Sequence, residues 1–361
     1  MKKIKVVAFY LPQFHAIPEN DRWWGEGFTE WTNVKKAIPL WNGHYQPKVP
    51  MDKNYYNLLN IDVMISQAKM AKKYGLHGFC YYHYWFGKGK KLLERPIEMM
   101  LNNPLVDIPF CFSWANENWS RNWDGGNREI MVEQDYGDEE SWELHLNYLA
   151  KFFSDPRYIR IDNKPVFIIY KPELIKRFNE MISYFRKNVK RYGIKDLIVC
   201  SQYPNVFRID KTHYDLDYKI KFEPMYTNCH YQDKNIISRK ITALKLGVKR
   251  IDGLTVRNYD KQWKYILNAE KKGENLIPGA FVDWDNTARN KKGTVFVGAT
   301  PKKFKHYFHE LIEQVKNDEF PTEFVFINAW NEWGEGAYLE PDEKHGYAYL
   351  EAMVDVLNNK I

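Results

Sequence analysis

The apolar stretch Phe324-Val-Phe-Ile-Asn-Ala-Trp330 runs directly into the polar stretch Asn331-Glu-Trp-Gly-Glu-Gly336 near the end of the 361-residue chain. The apolar residues predict a buried strand, and the polar stretch sets Glu332 and Glu335 three residues apart. Residues at odd spacing face opposite sides of a straight strand, so the two carboxyl groups converge only if the chain turns beyond the strand. The two glycines of the polar stretch permit that turn.

Two glutamates brought together in this way indicate a particular chemistry. Two carboxyl groups held close, one protonated and one ionised, are the usual machinery for breaking a glycosidic bond, because one protonates the leaving oxygen while the other stabilises or generates the electrophilic sugar carbon. For retaining geometry we expect the carboxyl groups to lie within about 5–7 Å of each other. The competing interpretation is a capped helix start whose two glutamates face solvent.

Seven similar β-rich runs precede this one. The eight predicted strands are Ile4–Tyr10, His77–Trp85, Ile108–Trp114, Pro165–Tyr170, Asp196–Ser201, Tyr218–Glu223, Leu276–Trp284 and Glu323–Trp330. Most are continuous apolar runs, as expected of parallel strands covered on both faces. Helical periodicity or composition marks residues 60–74, 91–103, 138–153, 173–192, 258–273, 302–318 and 345–359, and only the link after the fifth strand is irregular. This alternation predicts an α/β fold, a single (β/α)8 TIM barrel that spans residues 1–361.

The first connection, roughly residues 11–59, carries Trp23, Trp24, Trp31 and Trp41 and several prolines before any predicted helix begins. Loops of this length in a compact domain are usually functional or disordered, and one this aromatic should be ordered. We therefore expect this long aromatic first loop to wall the site.

Barrel enzymes carry their active sites at the carboxyl ends of the strands, so polar and aromatic residues there are candidates. Of the 13 tryptophans, seven lie at or just past predicted strand ends, at positions 85, 114, 119, 123, 284, 330 and 333. Flat aromatic faces suit sugar rings, whose C–H faces are apolar and whose hydroxyl edges need hydrogen bonds. The alternative is aromatic packing at the barrel mouth. The candidate substrate-binding residues are Tyr10, Gln13, His15, Trp24, Glu30, Trp31, His83, Tyr84, Trp85, Trp114, Asn116, Glu117, Trp119, Glu223, Asp283, Trp284, Asp285, Asn331 and Trp333.

Several of these candidates have a simple structural interpretation as well. His83 is equally well explained as a hydrogen-bonded core histidine, Asn116 as a helix cap and Glu223 as part of a turn. Asp283 and Asp285 fall on one face of a strand end, a pattern that can hold a divalent cation on a nucleotide-sugar diphosphate. Because Asp-x-Asp is common by chance, and because bond cleavage by two glutamates needs only proton transfer and charge stabilisation, we predict no metal ion and no other cofactor.

Charge and cysteine content exclude other classes of function. Lysine and arginine outnumber aspartate and glutamate by 53 to 46, but the basic residues are scattered, so nucleic acid and membrane surfaces are poorly supported as partners. Cys80, Cys111 and Cys200 lie in predicted strands without metal-ligand spacing, as packed thiols in a reducing compartment do. No run of eighteen apolar residues and no signal-peptide cleavage pattern occurs. We therefore predict a cytoplasmic protein without a transmembrane segment.

Four motifs together resemble the WbsX-type family of bacterial surface-polysaccharide biosynthesis proteins, over essentially the whole chain. They are Phe9-Tyr-Leu-Pro-Gln-Phe-His15, Trp23-Trp-Gly-Glu-Gly-Phe-Thr-Glu-Trp-Thr-Asn-Val34, Asp283-Trp-Asp-Asn-Thr287 and Trp330-Asn-Glu-Trp-Gly-Glu-Gly336. That family is a relative of glycoside hydrolase family 99, the endo-α-mannosidases and endo-α-mannanases. The resemblance to family 99 is narrower, since it rests on the barrel and the last motif.

In family 99 the segment that corresponds to Asn331–Gly336 carries both catalytic carboxylates. The resemblance implies that Glu332 removes the proton from the substrate's 2-hydroxyl, which then attacks the anomeric carbon to give a 1,2-anhydro sugar. It implies that Glu335 is the general acid, later the base, at the leaving oxygen, with net retention and no glycosyl-enzyme. This sequence carries Gly334 where the hydrolases typically have histidine, which weakens the transfer of their substrate preference.

Taken together, the residues and the resemblance predict an enzyme that cleaves a glycosidic bond in a bacterial polysaccharide or its precursor, with retention and without a metal ion. Its partner is then an oligosaccharide or polysaccharide substrate. Two further hypotheses remain open. One is a glycosyltransferase of surface-polysaccharide (O-antigen or capsule) biosynthesis that uses an activated sugar donor, and the other is a catalytically silent glycan-binding protein.

Overall fold

A sheet of parallel strands curls into a barrel in the computed structural model, which describes residues 3–120, 129–203, 214–230, 253–269 and 275–360. Within these residues the barrel consists of nine parallel segments: β1 (Lys5–Tyr10), β2 (Gly78–Trp85), β3 (Phe110–Trp114), β4 (Lys164–Ile169), β5 (Ile198–Tyr203), β6 (Tyr218–Lys221), β7 (Leu276–Ile277), β8 (Gly279–Phe281) and β9 (Phe324–Asn328). Their order in the sheet is β7-β6-β5-β4-β3-β2-β1-β9-β8.

The two edges of this sheet, β7 and β8, are consecutive in the chain and only Pro278 separates them. β7 pairs with β6 and β8 pairs with β9. Proline has no N–H to give to a ladder, but the Pro278 carbonyl accepts a hydrogen bond from the N–H of Phe326 (3.0 Å). One divided strand therefore joins both edges and nearly closes the barrel. The predicted (β/α)8 barrel is confirmed, with the seventh predicted strand divided in two and ended early at Phe281.

Helices surround the barrel. They are α1 (Pro18–Trp24), α2 (Glu30–Lys36), α3 (Ile61–Lys73), α4 (Arg95–Leu101), α5 (Glu139–Phe153), α6 (Phe178–Asn188), α7 (Met225–His230), α8 (Tyr259–Asn268), α9 (Pro301–Lys316) and α10 (Ala348–Leu357). Their starts follow ordinary capping chemistry. The Asp138 side chain accepts from the N–H of Ser141 at the start of α5, and the Thr300 hydroxyl accepts from the N–H of Lys303 at the start of α9.

Two predicted helices are shorter than expected. The prediction over residues 91–103 shrinks to α4 because Lys91–Leu92 pairs antiparallel with the end of β2. The prediction over 173–192 shrinks to α6, which 3-10 turns flank at Pro172–Leu174 and Val189–Tyr192. These turns change the ends of the elements and leave the order of strands and helices as predicted.

The prediction that no helix begins within the first loop was wrong. α1 begins with Pro18 in its first turn, where a missing N–H costs nothing. At the start of α2, the N–H of Thr29 donates to the hydroxyl of Thr32 (3.3 Å). These two short helices give the loop an ordered frame and bring Glu30 to the carboxyl end of the barrel.

Short strand pairs complete the structure around the mouth and the opposite end. Thr255–Asn258 pairs with Thr294–Val297, Trp119–Ser120 with Ile130–Val132, Asn331–Glu332 with Ala337–Tyr338, and Arg160–Ile161 with β4. Most of the irregular link after β5, as well as Trp123, falls outside the described residues. None of the helices in the described part of the chain is long and apolar enough to span a bilayer.

The inside of the barrel is packed rather than hollow. Phe9 contacts Phe326 (ring centroids 5.6 Å apart) and stacks on Tyr82 (5.8 Å). Polar contacts lie beside these rings. The hydroxyl of Ser113 donates to the side chain of Gln202 (2.7 Å), and the amide of Gln202 donates to the hydroxyl of Tyr82 (3.3 Å). The lumen therefore has an aromatic core and gives way to polar groups near the carboxyl ends of the strands.

Candidate active site

The polar stretch Asn331–Gly336 turns immediately after β9, at the carboxyl end of the barrel. Trp333–Glu335 forms a single 3-10 turn that ends at Gly336, whose φ is 64°. The side chain of Asn331 fixes the start of the turn, since it accepts from the N–H of Leu11 (2.7 Å) and donates to the carbonyl of Leu11 (3.0 Å). The chain thus turns where the spacing of its two glutamates predicts.

Both glutamates bind the same cation, Arg289. Its Nη2 lies 2.9 Å from Glu332 Oε2 and its Nη1 lies 2.6 Å from Glu335 Oε1. Its Nε lies 2.8 Å from Oε1 of Glu30, which α2 brings in from the first loop. The Glu30 side chain is fully buried, whereas the Glu335 side chain is 21% exposed, so Glu335 is the more accessible of the acids. Three carboxylates therefore surround one planar guanidinium, in directions that its plane fixes.

The two glutamates that share Arg289 have raised pKa values. Burial raises the pKa of Glu332 to about 8; Arg289 opposes this shift, while Glu335 and Glu30 add to it. Burial also raises the pKa of Glu335, again against the effect of Arg289. One guanidinium offsets only one of the negative charges, so the interacting pair retains a proton near neutral pH.

Gly334, between the two glutamates in sequence, is what makes room for this arrangement. A Cβ atom built at position 334 would lie far inside contact distance of Glu30 Oε1 and 2.8 Å from Arg289 Nε. Any side chain at this position would therefore displace the ion pair between Glu30 and Arg289. The volume beside the backbone of the turn is filled by a carboxylate from the first loop.

Aromatic side chains border one side of this acid cluster. Burial raises the pKa of Tyr84 well above its ordinary value, and the nearby charge of Glu332 adds to the shift. Tyr84 packs against Trp119 (ring centroids 5.2 Å apart), and half-buried Trp24 belongs to the same apolar cluster. We call Trp24, Tyr84 and Trp119 the aromatic wall.

The end of β3 supplies a further acid at the mouth. Glu117 forms an ion pair with Lys171 just past β4. The pKa of Tyr170 is raised by burial first and then by the charges of Glu117 and Glu335, which places Tyr170 near both acids. Asn116 instead joins two strand ends, since its side chain makes two 2.8 Å hydrogen bonds with the backbone of Lys171.

Asp283 and Asp285 follow β8 but do not act as an open pair. The carboxylate of Asp285 accepts hydrogen bonds from His44 (2.8 Å) and Gln46 (2.9 Å), and also from Thr287. Asp283 binds Lys48, which contacts it at 3.0 Å. No group of three or more histidine, cysteine or acidic side chains suited to a metal ion occurs among the described residues. The Asp-x-Asp motif here ties the first loop to the barrel.

Alternation along β2 separates the predicted residues into two sets. Tyr84 faces the acid cluster, whereas His83 and Trp85 face outward against α5. His83 Nε2 lies 2.9 Å from His145 Nε2, and burial lowers the pKa of His83 to about 3, so the ring is neutral. Trp114 packs on His145 as well. The structure therefore places His83, Trp85 and Trp114 in the core between sheet and helix, away from the two glutamates.

A second buried acid, Glu340, was missed by the sequence analysis. It accepts hydrogen bonds from Gln67 (2.7 Å), Tyr56 (2.8 Å) and the indole of Trp333 (2.7 Å), while the hydroxyl of Tyr10 donates to Gln67 (2.6 Å). Burial raises the pKa of Glu340 to about 7. Tyr10 and Trp333 thus point to this second acid, on the opposite side of the turn from Arg289.

The remaining predicted residues mostly support the frame. Trp31 packs on Trp333 (ring centroids 5.4 Å apart), and Glu223 caps the start of α7 through Thr227. Gln13, His15 and Trp284 are buried too. The carbonyl of Gln13 accepts a hydrogen bond from the N–H of Glu30 (3.1 Å). Nine of the twelve described tryptophans are buried, and only Trp23, Trp24 and Trp41 are partly exposed. Aromatic packing, the alternative interpretation, describes most of the tryptophans at the mouth.

Sequence reasoning also missed Arg289. It follows the 3-10 turn Asn286–Ala288, eight residues beyond the end of β8. The candidate residues were chosen at and just past the predicted strand ends and in the first loop, which excluded Arg289. The available signal was an arginine in the same connection as the Asp-x-Asp motif, but its partners come from α2 and from the turn after β9.

Comparison with known proteins agrees with this architecture. The family model described as "Glycosyltransferase WbsX" matches residues 6–353. Among curated relatives, the WxcX proteins of two strains of Xanthomonas campestris pv. campestris, ATCC 33913 and B100, are each 35% identical over 350 residues. The match covers 96% of this chain and 48% of each relative, so the chain spans about half the length of those proteins.

Solved structures show the same fold at low sequence identity. A protein titled "Glycoside hydrolase-like protein" has a TM-score of 0.59 and 16% identity, with coverage of 99% of this chain and 94% of that one. The family 99 endo-alpha-mannosidase of Bacteroides thetaiotaomicron has a TM-score of 0.58 and 13% identity, with coverage of 98% and 96%. The fold is thus shared with these barrels, and by its match over nearly the full length this chain belongs to the WbsX glycosyltransferase family.

Proposed function

We propose that this protein cleaves a glycosidic bond in a bacterial polysaccharide or its precursor, with Glu332 and Glu335 as the catalytic pair. The observation that carries the proposal is the buried pair itself, with both carboxylates on one guanidinium at the carboxyl end of the barrel. Family membership supports action on a polysaccharide, and the shared fold with a family 99 enzyme supports the choice of reaction. Oligosaccharide or polysaccharide is the proposed partner, and a cytoplasmic location remains a prediction.

In the proposed first step Glu332 removes the proton of the sugar 2-hydroxyl. The 2-oxygen then attacks the anomeric carbon, and the bond to the leaving oxygen breaks as Glu335 protonates that oxygen. In the second step Glu335 takes a proton from water, the water oxygen opens the 1,2-anhydro ring at the anomeric carbon, and Glu332 returns its proton to the 2-oxygen. Two inversions give net retention.

The environment of the pair keeps a proton available for the reaction. Burial raises the pKa of Glu332 to about 8, so Glu332 carries the shared proton for much of the time at neutral pH, but its ionised form is a stronger base than an ordinary glutamate. Glu335 has a raised pKa and a partly exposed side chain, as a proton donor to a substrate oxygen requires. The aromatic wall offers an apolar surface to the C–H face of a sugar beside them.

The test compares Glu332→Gln and Glu335→Gln on polysaccharides and on aryl glycosides with a good leaving group. Glu335→Gln should lose at least about 100-fold in turnover on a polysaccharide, whose leaving oxygen needs a proton, and should spare the first step on an activated aryl glycoside. Glu332→Gln should disable both substrates. The matched control is Glu351→Gln on the exposed face of α10, which should leave both rates unchanged.

A 2-deoxy glycoside tests the anhydro-sugar step with the unmodified enzyme, because it lacks the oxygen that attacks. Efficient cleavage of the 2-deoxy sugar would exclude this mechanism. Full activity in both glutamate variants would exclude the catalytic pair. Glycan binding without any turnover by the unmodified protein would instead support the silent glycan-binding hypothesis.

The second candidate is a glycosyltransferase, which the description of the matched family favours. A cation on a nucleotide-sugar donor would have to compete with His44 and Lys48 for Asp285 and Asp283. Activity that survives exhaustive chelation supports the glycosidase-like reaction. Restoration of donor consumption by manganese or magnesium, together with its loss in Asp283→Ala and Asp285→Ala, would establish the transferase.

A further inference from the structure

Every nitrogen of the Arg289 guanidinium has a different carboxylate partner. Nε binds Glu30, Nη1 binds Glu335 and Nη2 binds Glu332, at 2.8, 2.6 and 2.9 Å. The Arg289 side chain is 8% exposed. The arginine therefore sits behind the reactive pair and is oriented by it, rather than being presented to a ligand.

The proposed reaction moves negative charge from one glutamate to the other. The pair shares one proton, and the first step starts from the form in which Glu335 carries it and Glu332 is ionised; after that step Glu332 carries the proton and Glu335 is ionised. Arg289 contacts both carboxylates through neighbouring nitrogens, so the charge stays beside the same cation throughout. No reorganisation of the protein is needed to follow the charge.

Glu30 has the complementary effect. An arginine without a partner would stabilise both glutamates as anions and would leave neither with a proton to give. Glu30 offsets the charge of Arg289 from the side away from the pair, and it raises the pKa of both glutamates. The absence of a side chain at Gly334 is what gives the Glu30 carboxylate its place.

We propose that Arg289 is the positioning residue of the catalytic pair, and that Glu30, seated against Gly334, sets the strength with which Arg289 acts. The inference rests on the proposed function for its kinetic consequences. It differs from a purely structural role because the two members of the ion pair should change the charge state of the reactive glutamates in opposite directions.

The pH dependence of kcat/KM separates the two roles. Activity requires one ionised and one protonated glutamate, so the profile is bell-shaped and reports the macroscopic pKa values of the pair. Arg289→Gln removes a positive charge, raises both pKa values and should shift the bell upward by about one pH unit or more. Glu30→Gln removes a negative charge, lowers both and should shift the bell downward by about one pH unit.

Two further variants act as matched controls. Arg289→Lys keeps the charge but loses the planar fork, so its bell should stay near the original pH while kcat falls at least about tenfold. The double variant Glu30→Gln with Arg289→Gln removes one charge of each sign and should return the bell toward its original position. The inference would be overturned, and a purely structural role supported, if the kcat/KM profiles of Arg289→Gln and Glu30→Gln do not shift or shift in the same direction.

A measurement without turnover keeps the inference separate from the proposed function. Carbon-13 NMR titration of the glutamate carboxyl groups in the full chain gives the midpoints of Glu332 and Glu335 directly. Arg289→Gln should raise these midpoints and Glu30→Gln, which is nearly isosteric and easiest to fold, should lower them. Midpoints equal to those of the unmodified protein would refute the positioning role even if glycosidase activity is found. Opposite shifts would sustain it even if the protein has another activity.

Discussion

Two buried glutamate clusters lie on either side of Trp333, and they reach raised pKa values by different routes. Glu340 is surrounded by neutral donors, the side chains of Gln67, Tyr56 and the indole, and burial raises its pKa to about 7. Glu332 contacts a full positive charge on Arg289, yet its pKa is raised to about 8.

The difference lies in the neighbouring acids. Glu340 has no other acid among its hydrogen-bond partners in the described part of the chain, whereas Glu332 shares its cation with Glu335 and Glu30. A single satisfied acid stabilises a fold, while acids that compete for one cation retain a proton that can be transferred. A raised pKa alone therefore does not distinguish a structural carboxyl group from a reactive one.

Filling the space at position 334 should have the largest effect. Gly334→Ala places a methyl group where Glu30 Oε1 now lies, so Glu30 and Arg289 must move. We expect kcat/KM to fall at least about 100-fold, because a misplacement of about 1 Å in a catalytic group has that effect. Gly193→Ala, at a left-handed position with no atom within 4 Å of the added carbon, should lose some stability and no activity. Unchanged kinetics in Gly334→Ala would show that the ion pair between Glu30 and Arg289 does not affect catalysis by the two glutamates.

Glu340→Gln should affect stability rather than catalysis. The amide presents a donor to a shell in which Gln67, Tyr56 and Trp333 already donate. We expect the free energy of unfolding, measured in urea at pH 6 where Glu340 still carries its proton, to fall by about 1–3 kcal/mol. The variant should keep kcat within about threefold of the unmodified enzyme, in contrast to Glu332→Gln. A collapse of kcat with unchanged stability would reverse the assignment of the two clusters.

The pH dependence of stability should come from the same acids. Glu332, Glu340 and Glu223 have folded-state pKa values of about 8, 7 and 7, above the ordinary value of 4.5. Between these values the folded state binds more protons than the unfolded state, so stability falls as pH rises. From pH 6.5 to 8.5 we expect a loss of about 3–4 kcal/mol in the free energy of unfolding.

Below pH 6.5 the sign reverses for His83. Its folded-state pKa is about 3 against 6.5 when unfolded, so its contribution to stability is lost as pH falls from 6.5. Glu332→Gln should flatten the alkaline slope and should be more stable than the unmodified protein at pH 8.5. An unchanged slope in that variant would show that Glu332 is already ionised in the folded protein at neutral pH.

The order of strands and helices and the turn after β9 were readable from the sequence because apolar runs and glycine positions report them directly. The sequence did not show the direction in which each side chain points. Tyr84 and His83 are neighbours with equally plausible chemistry, yet one faces the acids and the other faces α5. Which of two alternating sets faces inward depends on the register of the closed barrel, and no local pattern fixes it.

Contacts between distant parts of the chain were equally inaccessible to the sequence. Arg289 meets Glu30 and Glu332 across separations of 259 and 43 residues. The number of tryptophans at strand ends suggested a broad sugar-binding surface, but a buried indole such as Trp330 packs against Phe79 in the core (ring centroids 5.1 Å apart). Only exposure in the folded structure separates these two uses.

Removing the exposed part of the aromatic wall should have the smallest effect. It tests whether the glycan binds against this wall. Trp24 is partly exposed, stacks on Phe28 (ring centroids 4.9 Å apart) and packs, like Tyr84, against the apolar cluster that contains Trp119. Trp24→Ala on a glycan that the unmodified enzyme cleaves should raise KM about tenfold with kcat nearly unchanged, since stacking contributes equally before and during bond cleavage. Trp23→Ala, on the same helix and also partly exposed, is the matched control and should leave KM within about twofold. If Trp23→Ala raises KM and Trp24→Ala does not, the sugar approaches from another direction and the wall serves only to pack α1 against the barrel.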